Sequence, residues 1–218
     1  MSTRKLPFRH IAIEGPIGVG KTSLVQLLAD RFEGVMVLED ITNPFLPAFY
    51  EGRPGAAFQV QIYFLLSRFQ QQREIAQMNL FQRLVLADYS FPKDRIFAYL
   101  NLDDTDLRIY EKLFPVLEQE VPTPDLVIYM QASVPVLLDR IRRRARDFEA
   151  DIDVEYLERL SDAYSYYFFH YRSTPLLVIN TDDIDFVNNP GDFDALVDQI
   201  IRTRRGTQIY VPKGTSDD

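Results

Sequence analysis

Apolar positions along the chain fall into two alternating patterns. Short continuous runs rich in Val, Ile and Leu occur at about 9–14 (RHIAIE), 35–39 (VMVLE), 83–88 (RLVLAD), 125–131 (DLVIYMQ) and 175–180 (PLLVIN). Unbroken runs of this length predict strands buried on both faces of a parallel sheet. Between them lie longer segments of helical period, which predict helices at about 20–32, 56–79, 104–120, 134–148, 153–171 and 192–204. In the second of these, Phe58, Ile62, Leu65, Leu66 and Phe69 recur at helical spacing. Ser133 and Pro135 supply an N-cap and a first-turn proline for the 134–148 helix. Strand–helix alternation with right-handed crossovers gives an α/β fold: three layers around a doubly wound, five-stranded parallel sheet. Ligands of such sheets gather beyond the carboxyl ends of the strands, so the residues just after each strand matter most.

Composition narrows the chemistry. The 218 residues include no cysteine, which excludes disulfides, zinc–thiolate sites, iron–sulfur clusters and cysteine nucleophiles. Two histidines, His10 and His170, are too few for a multi-histidine metal centre. The net charge of −8 makes general binding of nucleic acid or anionic membrane unexpected. No signal-peptide core and no uncharged apolar run near 18 residues is present, so a soluble, cytoplasmic protein is expected.

The strongest motif is Gly15-Pro16-Ile17-Gly18-Val19-Gly20-Lys21-Thr22, a full G-x-x-x-x-G-K-[ST] between a predicted strand and a predicted helix. Its glycines let backbone N–H groups converge on phosphate oxygens at the positive end of the following helix. Lys21 adds a charge for the β- and γ-phosphates, and Thr22 offers a hydroxyl to Mg²⁺. A P-loop NTPase fold that binds ATP follows. None of the five lysines lies in the N-K-x-D motif that reads guanine in GTPases.

Three further groups stand at the right places. Glu39-Asp40 ends the second strand and Asp88 the third; one carboxylate would support Mg²⁺, largely through water, and another would accept a proton from a substrate hydroxyl. Arg140, Arg142, Arg143, Arg144 and Arg146 crowd seven positions of an acidic chain, which reads as an arginine-rich phosphate lid at about 140–153. Residues two apart on a helix point about 200° apart, so Arg140, Arg144 and Arg146 converge only if the helix ends near Arg144 and the chain turns before Glu149. The polar set Tyr50, Gln61 and Arg68 interrupts an apolar segment, and Gln61 can both give and take a hydrogen bond at a nucleobase edge. One kinase domain over 1–205 and a tail over 206–218 complete the reading.

Together these residues resemble the deoxynucleoside kinase family, over most of the chain from His10 to about Asp198. The resemblance implies an ATP-dependent kinase of deoxynucleosides that forms homodimers through its long helices. It places Glu39 as general base, Tyr50 and Glu149 at the 3′-hydroxyl, and Gln61, Arg68 and Asp94 around the base. Arg140, Arg144 and Arg146 would grip phosphates, and Asp185-Phe186 would pack on the ATP adenine. Two features depart from the family pattern. Glu39 is followed by Asp40 where proline is usual. Asp88-Tyr89-Ser90 stands where the family commonly has an arginine after the acidic residue, so that arginine's part falls to Lys93 or to Arg68. The Asp-Tyr-Ser form is more similar to bacterial purine-deoxynucleoside kinases. Two other readings stay open on the residues alone. One is a thymidylate-type monophosphate kinase, with Arg68 and Arg95 gripping the acceptor phosphate. The other is a non-catalytic nucleotide-binding regulator.

Overall fold

The computed structural model describes residues 5–79, 84–144 and 152–212. Strands β1 (His10–Glu14), β2 (Val35–Val37), β3 (Val85–Ala87), β4 (Leu126–Gln131), β5 (Leu176–Asn180) and β6 (Thr207–Tyr210) form one sheet in the order β2-β3-β1-β4-β5-β6. All five pairings are parallel. The helices are α1 (Lys21–Phe32), α2 (Leu46–Tyr50), α3 (Ala56–Asn79), α4 (Lys93–Asn101), α5 (Asp104–Glu118), α6 (Val134–Arg144), α7 (Val154–His170) and α8 (Pro190–Arg202).

Six strands rather than five is the main correction to the sequence reading. Thr207-Gln-Ile-Tyr lies in the segment taken for a tail, yet it pairs with β5 from Leu176↔Thr207 to Ile179↔Tyr210. It is an edge strand with an alternating exposure pattern and Ile209 largely exposed. A search for continuous apolar runs cannot find such a strand. The helical periodicity also does not predict α2 or α4. The 134–148 helix is described to Arg144, where Leu137 N–H donates to Ser133 O at 3.0 Å as the N-cap reading requires.

Side chains alternate across each strand, so neighbouring residues enter different cores. Ile11, Ile13, Ile128 and Met130 pack with Leu24 and Leu28 of α1, Leu137 and Ile141 of α6, and Leu196 of α8. Ala12, Val127 and Tyr129 pack on the opposite face with Leu160, Tyr164 and Phe168 of α7. Tyr129 and Phe168 stack with centroids 4.4 Å apart. Strands covered on both faces carry the continuous apolar runs seen in the sequence.

His10, at the start of β1, is buried, and neither ring nitrogen has a hydrogen-bond partner among the described residues. Burial lowers its pKa from 6.5 to about 4, with Asp125 opposing. The unfolded chain therefore binds a proton that the folded chain refuses, and stability falls as pH drops from about 6.5 to about 4 and levels off below. The shift sets a ceiling of ~3 kcal/mol on this loss. Urea unfolding of the wild type and His10→Leu at pH 7.5 and 4.5 checks it: the variant should lose less stability, and equal losses would refute the assignment.

Candidate active site

The P-loop connects β1 to α1 at the carboxyl edge of the sheet. Gly15 (φ 148°) and Gly18 (φ 85°) adopt backbone that side chains rarely tolerate, which curls the loop back on itself. Space is short as well: a Cβ on Gly15 would lie 2.4 Å from Met130 O, and one on Gly18 would lie 2.7 Å from Ile141 Cγ1. The Lys21 ammonium donates to Gly15 O (2.8 Å) and Pro16 O (3.0 Å). Burial lowers its pKa to about 8, aided by the charge of Lys93 and resisted by Glu14, Glu39 and Asp88.

From the P-loop a continuous polar chain runs through the site. Thr22 Oγ1 donates to Asp88 Oδ2 at 2.9 Å, and Asp88 Oδ1 accepts the backbone N–H of Glu39 at 2.7 Å. The Glu39 carboxylate is held from two sides. Arg68 donates to its Oε1 through Nε (3.1 Å) and a terminal nitrogen (2.6 Å), while Lys93 donates to Oε2. Burial alone would raise the pKa of Glu39, but Lys93 and Arg68 outweigh it and hold the carboxyl well below the usual range. Arg68 also pairs with Asp94. Asp94 Oδ1 accepts from Gln61 Nε2 (2.6 Å) and from the Tyr110 hydroxyl (2.9 Å). Gln61 Nε2 makes a second bond to Asp94 O at 2.9 Å. Buried charges survive only when partnered this fully.

The fold thus brings Lys21, Thr22, Glu39, Gln61, Arg68, Asp88 and Asp94 into one cluster, although they span 74 positions of sequence from 21 to 94. Several other candidates stand differently. Tyr50 closes α2, 66 % exposed, with its ring edge-on to Phe49. Arg140 is committed to Thr181, through Oγ1 (2.9 Å) and O (2.6 Å), and approaches Val19 O at 3.4 Å. It braces the P-loop against the end of β5 and does not stand free as a lid arginine. Asp185 also serves its own loop. Its carboxylate accepts from Asn188 Nδ2 and from the backbone of Val187 and Asn188, and these bonds lower its pKa. Phe186 is 4 % exposed and packs into the core, its Cζ within 3.2 Å of where a Gly20 Cβ would stand. Its ring is therefore a wall behind the P-loop, not a free platform for an adenine. Arg144 is the last described residue of α6, and Arg146, Glu149 and the turn required for lid convergence lie outside the described residues.

Sequence reasoning missed Glu14 and Tyr110. Glu14 is fully buried at the end of β1, with Oε1 accepting from the Ser90 N–H (2.5 Å) and hydroxyl (2.7 Å). A carboxylate closing an otherwise apolar strand just before the P-loop was the available signal. Tyr110 had none, because its partner Asp94 belongs to a helix that the pattern does not predict.

A parallel sheet with a phosphate loop, a hydroxyl–carboxylate pair beside it and a buried, ion-paired carboxylate beyond defines a P-loop phosphotransferase. Comparison with known proteins gives the particular family: residues 11–204 match the family model for deoxynucleoside kinase. A deoxyguanosine kinase of Bacillus subtilis is 36 % identical over 192 residues, covering 85 % of this chain and 93 % of the relative. A deoxyadenosine kinase of Dictyostelium discoideum is 40 % identical over 167 residues, covering 74 % and 67 %. The solved structure of a deoxyadenosine kinase from M. mycoides with bound dCTP superposes with a TM-score of 0.73 at 25 % identity, over 87 % of this chain and 97 % of that one. The chain belongs to the deoxynucleoside kinase family and is an ATP-dependent phosphotransferase with an alcohol acceptor.

The monophosphate-kinase and regulator readings find no support. The geometry gives a reason for the first. Arg68 is spent on Glu39 and Asp94, and Arg95 on Glu111 at 3.1 Å, so neither cation is available for an acceptor phosphate. No described helix is long and apolar enough to cross a membrane.

Proposed function

We propose that the chain transfers the ATP γ-phosphoryl group to the 5′-hydroxyl of a purine deoxynucleoside, with Glu39 as proton acceptor. The observation that carries this reading is the Asp88 bridge. One carboxylate ties the Thr22 hydroxyl of the P-loop to the backbone of Glu39 and so fixes the candidate base against the phosphate end of the site. The 5′-oxygen bonds to the γ-phosphorus as its proton passes to Glu39, and the bond to ADP breaks with its electron pair going to ADP. Lys21 supplies preorganised charge to the transferring group. Thr22 and Asp88 offer hard oxygen donors that fit Mg²⁺, which characteristically takes one or two protein oxygens and leaves the rest to water and phosphate. Bound there with ATP, the ion would neutralise charge on the phosphates.

Gln61 uses its amide N–H groups on Asp94, leaving Oε1 to accept from the exocyclic amino group of a base. The names of the B. subtilis and D. discoideum relatives support a purine preference. Tyr50 and Glu149 are read as contacts to the 3′-hydroxyl, Asp185 as part of the loop beside the adenine of ATP, and Arg144 and Arg146 as lid cations. Labelled ATP offered with a panel of nucleosides and monophosphates tests the reading. The expected products are deoxyadenosine or deoxyguanosine 5′-monophosphate, and a preference for pyrimidine deoxynucleosides would overturn the base assignment.

A homodimer is part of the proposal. Ile109, Leu113 and Val116 form one exposed apolar face of α5, and Leu66 of α3, a helix packed against α5, is half exposed. Sedimentation showing only monomer at micromolar concentration would refute it.

A further inference from the structure

Lys93 is a buried cation that the reading above leaves without a task. It opens α4, behind Pro92 at the N-cap, where the helix presents its positive end and a cation is disfavoured. Its side chain is 6 % exposed, so water does little to hold the ammonium and carboxylates must. One is Glu39, through Oε2. The other is Glu14, joined to Lys93 through Ser90: Ser90 O accepts the Lys93 backbone N–H at 3.2 Å, and Ser90 donates its own N–H and hydroxyl to Glu14 Oε1. Burial raises the Glu14 pKa, and the charge of Lys93 opposes that rise. Glu14 Oε1 is taken by Ser90, but Oε2, also buried, has no hydrogen-bond partner among the described residues. An unpaired carboxylate oxygen in the interior is costly, and a cation is the partner that would relieve it best.

The two oxygens of Glu39 are not equivalent. Oε1 already accepts two N–H bonds from Arg68, which fills its lone pairs. A substrate hydroxyl must therefore be received at Oε2, the oxygen that Lys93 covers. We propose that Lys93 is a positioning residue with two anchorages: it holds Glu39 Oε2 until the 5′-hydroxyl arrives, then passes to Glu14 Oε2. The inference rests on Glu39 being the proton acceptor. Charge supports the exchange as well as geometry. When the hydroxyl proton moves to Glu39, that carboxylate becomes neutral and no longer balances the ammonium. Glu14 then offers the buried carboxylate that the Lys93 ammonium needs.

A double-mutant cycle on the full-length kinase tests this, with kcat and the nucleoside KM measured separately. Lys93→Met should lower kcat by about 10²-fold, the low end of what a misplaced general base costs. Glu14→Gln keeps the Ser90 bonds but loses the second anchorage. It should lower kcat by about 10-fold and raise the nucleoside KM several-fold, because Lys93 no longer clears Oε2. In the double variant the Glu14 change should add nothing to Lys93→Met, since both act through one ammonium. Lys93→Arg, which keeps a cation, should recover most of the activity. If Lys93→Met is unfolded at the assay temperature, Lys93→Gln takes its place in the cycle. Multiplying effects in the double variant, or unchanged kcat and KM in Glu14→Gln, would overturn the proposal. Glu39→Gln is assayed alongside. Its full activity would end the proton-acceptor reading itself, whereas an inactive Glu39→Gln with multiplying effects would end only the inference about Lys93.

Discussion

Glu39→Gln is expected to lower kcat by about 10²–10⁴-fold while the deoxynucleoside still binds, because the amide keeps the shape of the side chain and loses the proton acceptor. The structure sharpens this expectation. Glu39 is held ionised by Lys93 and Arg68, the form that can accept a proton once an oxygen is cleared. A thermal melt accompanies the assay, since the substitution also removes an anion from between two buried cations. If Asp88→Asn abolished turnover while Glu39→Gln remained active, the two carboxylates would have exchanged roles.

Lys21→Ala should cut kcat/KM by about 10²-fold or more, the loss typical of removing one preorganised charge from a developing anion. Folding should survive. Among the described residues the lysine side chain bonds to the loop carbonyls of Gly15 and Pro16, and its removal trades attraction to Glu14, Glu39 and Asp88 for relief of repulsion from Lys93 and of the cost of burying the ammonium. Near-normal activity in a folded Lys21→Ala protein would refute the placement of the γ-phosphate at this loop.

How far the sequence reveals this molecule depends on how local each feature is. The P-loop is legible because its glycines, lysine and threonine act within eight residues and between two strongly patterned elements. Strand β6 is not, because an edge strand needs no continuous apolar run. Helix α4 begins with Lys93 and Asp94, two charged residues that look like surface positions. Their burial makes sense only once Glu39, 54 positions from Lys93, and Arg68, 26 positions from Asp94, are known to meet them. The same distance effect misplaces Phe186 and Arg140. As sequence both suit a ligand, yet the gap beside Gly20 admits the ring and the carbonyl at the end of β5 takes the guanidinium. The question of which cation stands beside Glu39 had two answers in the sequence, and the structure keeps both, one on each carboxylate oxygen.

The glycines of the phosphate loop grade the room for change around it. At Gly15 the obstacle is a main-chain carbonyl of β4, and at Gly18 it is Leu137 O at 2.9 Å together with Ile141, so neither wall yields to a rotamer change. At Gly20 the nearest neighbour is the rim of one aromatic ring, but its φ of 101° bars a side chain all the same. An engineer wishing to alter the donor specificity of this enzyme would find the first two positions closed by contact and the third by backbone, and must work around them from helix α6, whose seat against Gly18 ties any repositioning of that helix to the loop that holds the phosphates.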